Sequence, residues 1–243
     1  MNPFSLARKG FLKPAYLPMA LRYLWLRLRR PDIEFEGFAF VGPRVEFVLE
    51  SAKARLVIGR WTHIGEGTAL RAHEGVLRIG DKCVLGRDVI INTYLDLEIG
   101  DAAIIADRCY LGDFDHRTDD TGVPIKDQGL VKSPVRIGAD CWLGTQCVVV
   151  RGADLGTGSV AAALSVVRGT FPPGSIVAGV PGKVVANRHD RYADAAELRA
   201  YVAGLGREAA DRARRAMLGD VPDGADPSEQ GVETRGDREV TGG

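Results

Sequence analysis

The middle of the chain repeats every six residues. From Ile137, each sixth position is aliphatic or small: Ile137, Leu143, Val149, Leu155, Ala161 and Val167. Gly138, Gly144 and Gly156 follow three of them, and the residues four places on are small: Cys141, Cys147, Ala153, Ser159 and Ser165. The same phase runs upstream in three sets, Ile58-Ile64-Leu70, Ile79-Leu85-Ile91 and Ile99-Ile105-Leu111. This period fits neither an α-helix nor simple strand alternation. It predicts a parallel β-helix in which three hexapeptides make one triangular coil, with coils stacked roughly 4.8 Å apart on a shared core. Each aliphatic should point inward. The residue after it should turn the corner, where Gly or Asn tolerates positive φ; Asn92, after Ile91, is read as such a corner. The resets between Leu70 and Ile79 and between Ile91 and Ile99 read as small bulges.

Several segments fall outside the phase. Residues 113–134 carry no repeat, and a loop of that length on a rigid stack is a candidate functional element. Residues 1–30 hold seven basic residues (Arg8, Lys9, Lys13, Arg22, Arg27, Arg29, Arg30) and no acid. Within them Leu21, Leu24, Trp25 and Leu28 recur at helical spacing. Two readings stay open: a helix capping the open end of the β-helix, or an interfacial helix on an anionic membrane. Residues 194–218 carry a helical stripe (Leu198, Val202, Leu205, Ala209, Ala213, Ala216), and 219–243 are acidic with few large apolar residues, the signature of a disordered tail. The expected organisation is a basic helical segment at 1–32, a β-helix at 33–188, a C-terminal helix at 189–218 and the tail.

Charge and composition narrow the function. The chain has 32 Lys+Arg against 32 Asp+Glu, and 7% aromatic residues, which argues against a nucleic-acid partner. Pro14 and Pro18 interrupt the apolar part of the N-terminus, so no secretory leader is read. The expected location is cytoplasmic, at the inner membrane surface if residues 1–30 meet lipid. All four cysteines (Cys83, Cys109, Cys141, Cys147) occupy the offset-four position, as small buried side chains would. None forms a CxxC pair, so neither a structural disulfide nor a metal is expected. His63, His73 and His189 read as surface or packing residues. Gly156–Ala161 fits GxGxxA, but the repeat phase already accounts for it and no long helix follows.

The segments WLGTQCVVVRGADLGTG and FPPGSIVAGVPGKVVANR resemble the hexapeptide O-acetyltransferases of the maltose, galactoside and polysaccharide group, over about residues 79–188. The resemblance implies a left-handed β-helix, an exception to the usual right-handed crossover, a homotrimer with sites between subunits, and acetyl-CoA as acyl donor. It makes His116 the catalytic histidine. It places Trp142, Gly144, Thr145, Ala163, Arg168 and Lys183 at or near the coenzyme A site, with Arg188 a further candidate for its phosphates. Gly86 and Tyr94 stand where galactoside enzymes carry an acceptor-binding Asn and Asp, which counts against a galactoside-like acceptor.

Acyl transfer from a thioester to a hydroxyl needs a proton acceptor and donors for the oxyanion. Histidine titrates in the right range for the first task. His116 opens the loop between Asp113 and Asp115, either of which could orient its ring. A backbone amide near Gly144-Thr145 is the candidate oxyanion donor. The sequence therefore predicts direct, general-base-assisted acetylation of a sugar or polysaccharide hydroxyl, with an amine acceptor as a variant. A non-catalytic β-helix scaffold is the alternative. A zinc carbonic anhydrase on this fold would need three converging histidines, and no closely spaced pair stands beside the loop.

Overall fold

Three columns of aliphatic side chains run up the inside of a three-sided parallel β-solenoid of about six turns. The computed structural model describes residues 16–188; the expected C-terminal helix, the acidic tail and His189 lie outside them. Face 1 stacks Phe35, Ile58, Ile79, Ile99, Ile137, Leu155 and Phe171 in direct register. Face 2 stacks Val41, Ile64, Leu85, Ile105, Leu143, Ala161 and Val177. Face 3 stacks Phe47, Leu70, Ile91, Leu111, Val149 and Val167. All but the partly buried Phe47 are buried. The positions picked out by the six-residue phase all lie in these columns, which Phe35, Val41 and Phe47 extend at one end and Phe171 and Val177 at the other.

The corners differ from the sequence expectation. The glycine after each aliphatic is not the positive-φ residue. That role falls two places later, where Trp61, Lys82, Ala102, Asp140, Gln146 and Leu164 adopt φ of 55 to 64°. The glycine is needed for space. A Cβ on Gly138 would lie 2.5 Å from the Thr157 amide nitrogen in the next coil, and one on Gly144 2.5 Å from that of Ala163. Asn92 is likewise not a corner. It lies within the strand Ile90–Thr93 and pairs with Gly112.

The small offset-four residues satisfy the corners. Thr62 Oγ1 donates to Gly80 O at 2.7 Å and Thr68 Oγ1 to Gly86 O at 2.9 Å. Cys83, Cys109, Cys141 and Cys147 place their thiols 3.0 to 3.2 Å from the carbonyls of Gly100, Gly144, Gly156 and Ala162. All four are buried and unbonded to each other. Burial pushes the Cys83 thiol up to about 11, the opposite of what a nucleophile needs.

The resets are not bulges. They lengthen strands toward the corner between faces 3 and 1, where Leu49, Ala72 and Thr93 stay in register. Ile58 to Ile79 spans 21 residues, whereas Ile137 to Leu155 spans 18. The lower coils are therefore broader at this one corner, and the 113–134 insertion leaves the stack there.

Both ends are closed. Helix α1 (Leu17–Arg29) covers the first coil with Tyr23 and Leu26 buried beneath it. Pro18 sits in its first turn, where a missing N–H costs nothing. Arg22 donates to Val41 O at 2.6 Å, Arg27 to Phe35 O at 2.8 Å and Arg30 to Phe47 O at 3.2 Å. Each arginine thus serves the first carbonyl of one inward column, groups that a solenoid end would otherwise leave unpaired. At the far end strand Lys183–Asn187 folds back antiparallel on Ser175–Ala178.

Gly138→Ala should destabilise the solenoid by about 1–3 kcal/mol, because its contact is with backbone that cannot rotate away; urea unfolding would measure it. His63 gives a second test. Burial lowers its pKa, and its Nδ1 is buried without a partner. As pH falls through the ordinary histidine range, about 6.5, the unfolded chain therefore takes up this proton before the folded one does. Stability contributed above that range is lost as pH drops. His63→Phe should shallow the decline in urea stability between neutral and mildly acid pH.

Candidate active site

Strands Phe114–His116 and Leu130–Lys132 form an antiparallel hairpin pairing His116 with Leu130. It rises from the broad corner between faces 3 and 1. Its base is fixed by Asp113, which is fully buried. The Asp113 carboxylate accepts the backbone N–H groups of Tyr94, Leu95 and Asp96, each at 2.8 Å. Three charge-assisted bonds on one buried carboxylate make a rigid anchor. Phe114 then packs edge-on against Tyr94, with ring centroids 4.4 Å apart, and Tyr94 stacks on His73, also at 4.4 Å. Lys132 reaches Glu74 at 2.5 Å and lies over the Tyr94 ring. Farther out, the Gln128 side chain donates to Asp120 O and Val123 O and accepts from Asp120 N, which ties the loop to itself.

His116 is exposed at the end of this hairpin, with no side-chain partner among the described residues. Neither aspartate orients it. Asp113 is committed to three amides. Asp115 precedes His116 on one strand, so the two side chains leave opposite faces, and Asp115 pairs with Arg151 at 2.7 Å. Asp115, Val150, Arg151, Val166 and Arg168 line a cavity of about 290 Å³ beneath the hairpin.

The other expected residues lie elsewhere. Trp142 is half-exposed on the outer surface of face 2, in one column with Val84, Ile104, Val160 and Ile176. Gly144, Thr145 and Ala163 form the corner between faces 2 and 3. Lys183 begins the strand that closes face 2. Arg188 stands apart, bonded to Asp140 at 3.0 Å and to Gly158 O at 2.9 Å.

The 2–3 corner carries a column of backbone donors. In one lower coil the amide at this turn position is taken by an aspartate one coil up, Arg87 N to Asp107 Oδ1 at 2.8 Å, while the Glu66 and Asp107 amides have no protein acceptor among the described residues. The next two coils carry Thr145 and Ala163 instead. Thr145 Oγ1 donates to Asp107 O at 2.8 Å, and the Thr145 and Ala163 amides have no protein acceptor among the described residues. The Gly144 amide is already used, donating to Ala161 O at 2.8 Å. The open donor is thus Thr145 rather than Gly144.

No family profile matches the chain. Individual proteins do. A Mycobacterium tuberculosis protein that carries the name Probable acetyltransferase Rv3034c is 51% identical over 203 residues, covering 82% of this chain and 68% of that protein. WbbJ of Escherichia coli K12, named for O-acetyl transfer in lipopolysaccharide biosynthesis, is 32% identical over 129 residues, covering 50% of this chain and 66% of its own length. The chain belongs to the hexapeptide-repeat acetyltransferases. The fold agrees with that of the Bacillus cereus N-acyltransferase AntD, solved with dTDP and coenzyme A: TM-score 0.57 at 14% identity, over 72% of this chain and 95% of that one.

The candidate residues fall into two separate groups on the chain. His116 rises at the 3–1 corner, and Trp142, Thr145 and Ala163 lie across face 3 from it. Sequence reasoning missed the hairpin's seat, namely His73, Tyr94, Phe114 and Lys132, and the Arg151 partner of Asp115. Tyr94 was noticed only as a departure from the galactoside pattern. Nothing in a linear sequence announces that three successive amides converge on Asp113.

Asp113→Asn should keep the solenoid while loosening the hairpin, because an amide can no longer accept all three N–H groups. The cost should be about 1–3 kcal/mol. Hydrogen exchange at residues 94–96 and 114–132 should accelerate while the upper coils stay protected; unchanged exchange there would refute the anchor.

Proposed function

We propose that the protein is an acetyl-CoA-dependent O-acetyltransferase that acts on a hydroxyl of a sugar or polysaccharide, in sites completed between the subunits of a homotrimer. The observation that carries this reading is His116, an exposed imidazole on a hairpin whose base is clamped into the solenoid. In the proposed reaction, His116 takes the acceptor hydroxyl proton as the oxygen attacks the thioester carbonyl carbon. The tetrahedral oxyanion is met by the Thr145 amide of a neighbouring subunit. The carbon–sulfur bond then breaks and the departing thiolate recovers the proton from the imidazolium, so no acyl-enzyme forms. Trp142, Ala163, Arg168 and Lys183 would line the coenzyme, with Arg168 and Lys183 offering charge to its phosphates. The bonds of Arg188 to Asp140 and Gly158 O make it the weakest of these candidates.

Two features support assembly. His116 and Arg168 stand at one corner of the chain and Trp142, Thr145 and Ala163 at another, so a second copy is needed to bring the two groups together. The outer column of face 2 also leaves Val84, Ile104 and Trp142 more than two-fifths exposed, whereas that of face 1 is largely charged, with Glu34, Arg78, Glu98, Arg136 and Asp154. The name of WbbJ supports a glycan hydroxyl as acceptor.

The test is thiol release from acetyl-CoA in the presence of a panel of glycosides and glycans. His116→Ala should lower transfer by roughly 100-fold or more with an unchanged melting curve. Near-normal turnover in that variant, or an active monomer by mass measurement in solution, would overturn the reading.

A further inference from the structure

Helix α1 has two faces with opposite chemistry. Its inner face carries Tyr23, Leu26 and the carbonyl-capping Arg22 and Arg27, with the third capping arginine, Arg30, just past its end. Its outer face presents Leu17, Leu21, Leu24, Trp25 and Leu28, between 54% and 84% exposed. These positions follow the 3.6-residue period, and on a 13-residue helix they make a continuous apolar stripe. Capping does not explain them, because the cap is complete without that face.

We propose that this outer face docks on the surface of an anionic lipid bilayer, with the helix lying in the interfacial plane. Charge complementarity selects this occupant. With Arg22, Arg27 and Arg30 turned to the solenoid, Arg29 stays exposed at the end of the stripe. The preceding fifteen residues add Arg8, Lys9 and Lys13 and no acid. A second copy seated on the same face would bring these like charges together. The described chain ends at Arg188, beside the last coil, at the far end of the stack from α1. A bilayer accepts both features at once: apolar side chains with a tryptophan at the headgroup level, and basic residues against anionic lipid. The helix is too short to span, and among the described residues no helix is long and apolar enough to cross a membrane. The contact would be peripheral.

The experiment sediments the full-length protein with phosphatidylcholine vesicles, with and without phosphatidylglycerol, at low and high salt. Binding is expected to the phosphatidylglycerol vesicles and to weaken with salt. The double variant Leu21→Glu, Leu28→Glu should bind roughly tenfold more weakly or worse, with an unchanged melting curve, since both side chains point away from the solenoid. Failure of the full-length protein to sediment with anionic vesicles at low salt would overturn the proposal. So would binding that survives the double variant. Binding that emerges only after residues 219–243 are deleted would also overturn it, because the chain's own acids would then be the occupant. A larger assembly in solution that the double variant breaks, without vesicle binding, would mark the face as a contact between copies.

Discussion

The structure depends on how closely one coil lies against the next at the corners. Strands stacked at about 4.8 Å are unremarkable along their length, but at a corner the backbone itself becomes the neighbour. At Gly138 and Gly144 the space that a Cβ would fill is occupied by the amide nitrogens of Thr157 and Ala163. That single contact dictates the other positions of the repeat. The turn must then recover direction within two residues, which places positive φ at Asp140 and Gln146. The following residue must be small, and a side chain that can donate to the carbonyl above, as Thr62 and Cys147 do, removes the cost of burying that carbonyl. Four cysteines in a chain without disulfides are explained by this position alone.

A stack so regular has two weak points, its ends and its insertions. The end problem is polar. The first coil offers three carbonyls with no coil below them, and helix α1 answers with one arginine for each. The insertion problem is geometric. A chain can leave and rejoin the stack only where the coils already have slack, and the broad 3–1 corner provides it. Asp113 turns the exit into a fixed joint by binding the three amides of the coil beneath. The hairpin therefore projects from the rigid part of the molecule, which is what a reacting group must do if it is to be held in place.

From Ile58 to Val167 the inward columns were legible in the sequence down to the residue, because a period of six with an aliphatic at each step has few physical solutions; the aromatic and valine members at the two ends, Phe35, Val41, Phe47, Phe171 and Val177, fall outside the runs that show it. The capping helix was legible as an amphipathic segment, and its inner and outer faces were not, since Arg22 and Arg29 look alike until the first coil is in place. The reason for the corner glycines was misread. Sequence offers torsional freedom as the usual cause, while the distance from Gly138 to Thr157 exists only once the coils are stacked. The loop was found because the phase broke there. The partners of Asp113 were not, because Tyr94, Leu95 and Asp96 lie one full coil earlier in the chain.

Departures from the repeat are of two kinds. Some departures close the stack on itself. Asp81, Asp101 and Asp107 do so in the lower coils, where each carboxylate takes a turn amide from the coil beneath. Others leave the stack open. Above Asp107 the same corner carries Thr145 and Ala163, whose side chains take no amide from the coil beneath, and the Asp107 and Thr145 amides have no protein acceptor among the described residues. An aspartate at 163, in the pattern of Asp107, would take the Thr145 amide of the coil beneath. Such a carboxylate would occupy the donor that the proposed reaction assigns to the oxyanion, and would add negative charge beside it. The coils that are least completely satisfied by their own side chains are the ones whose corners can still bind something else.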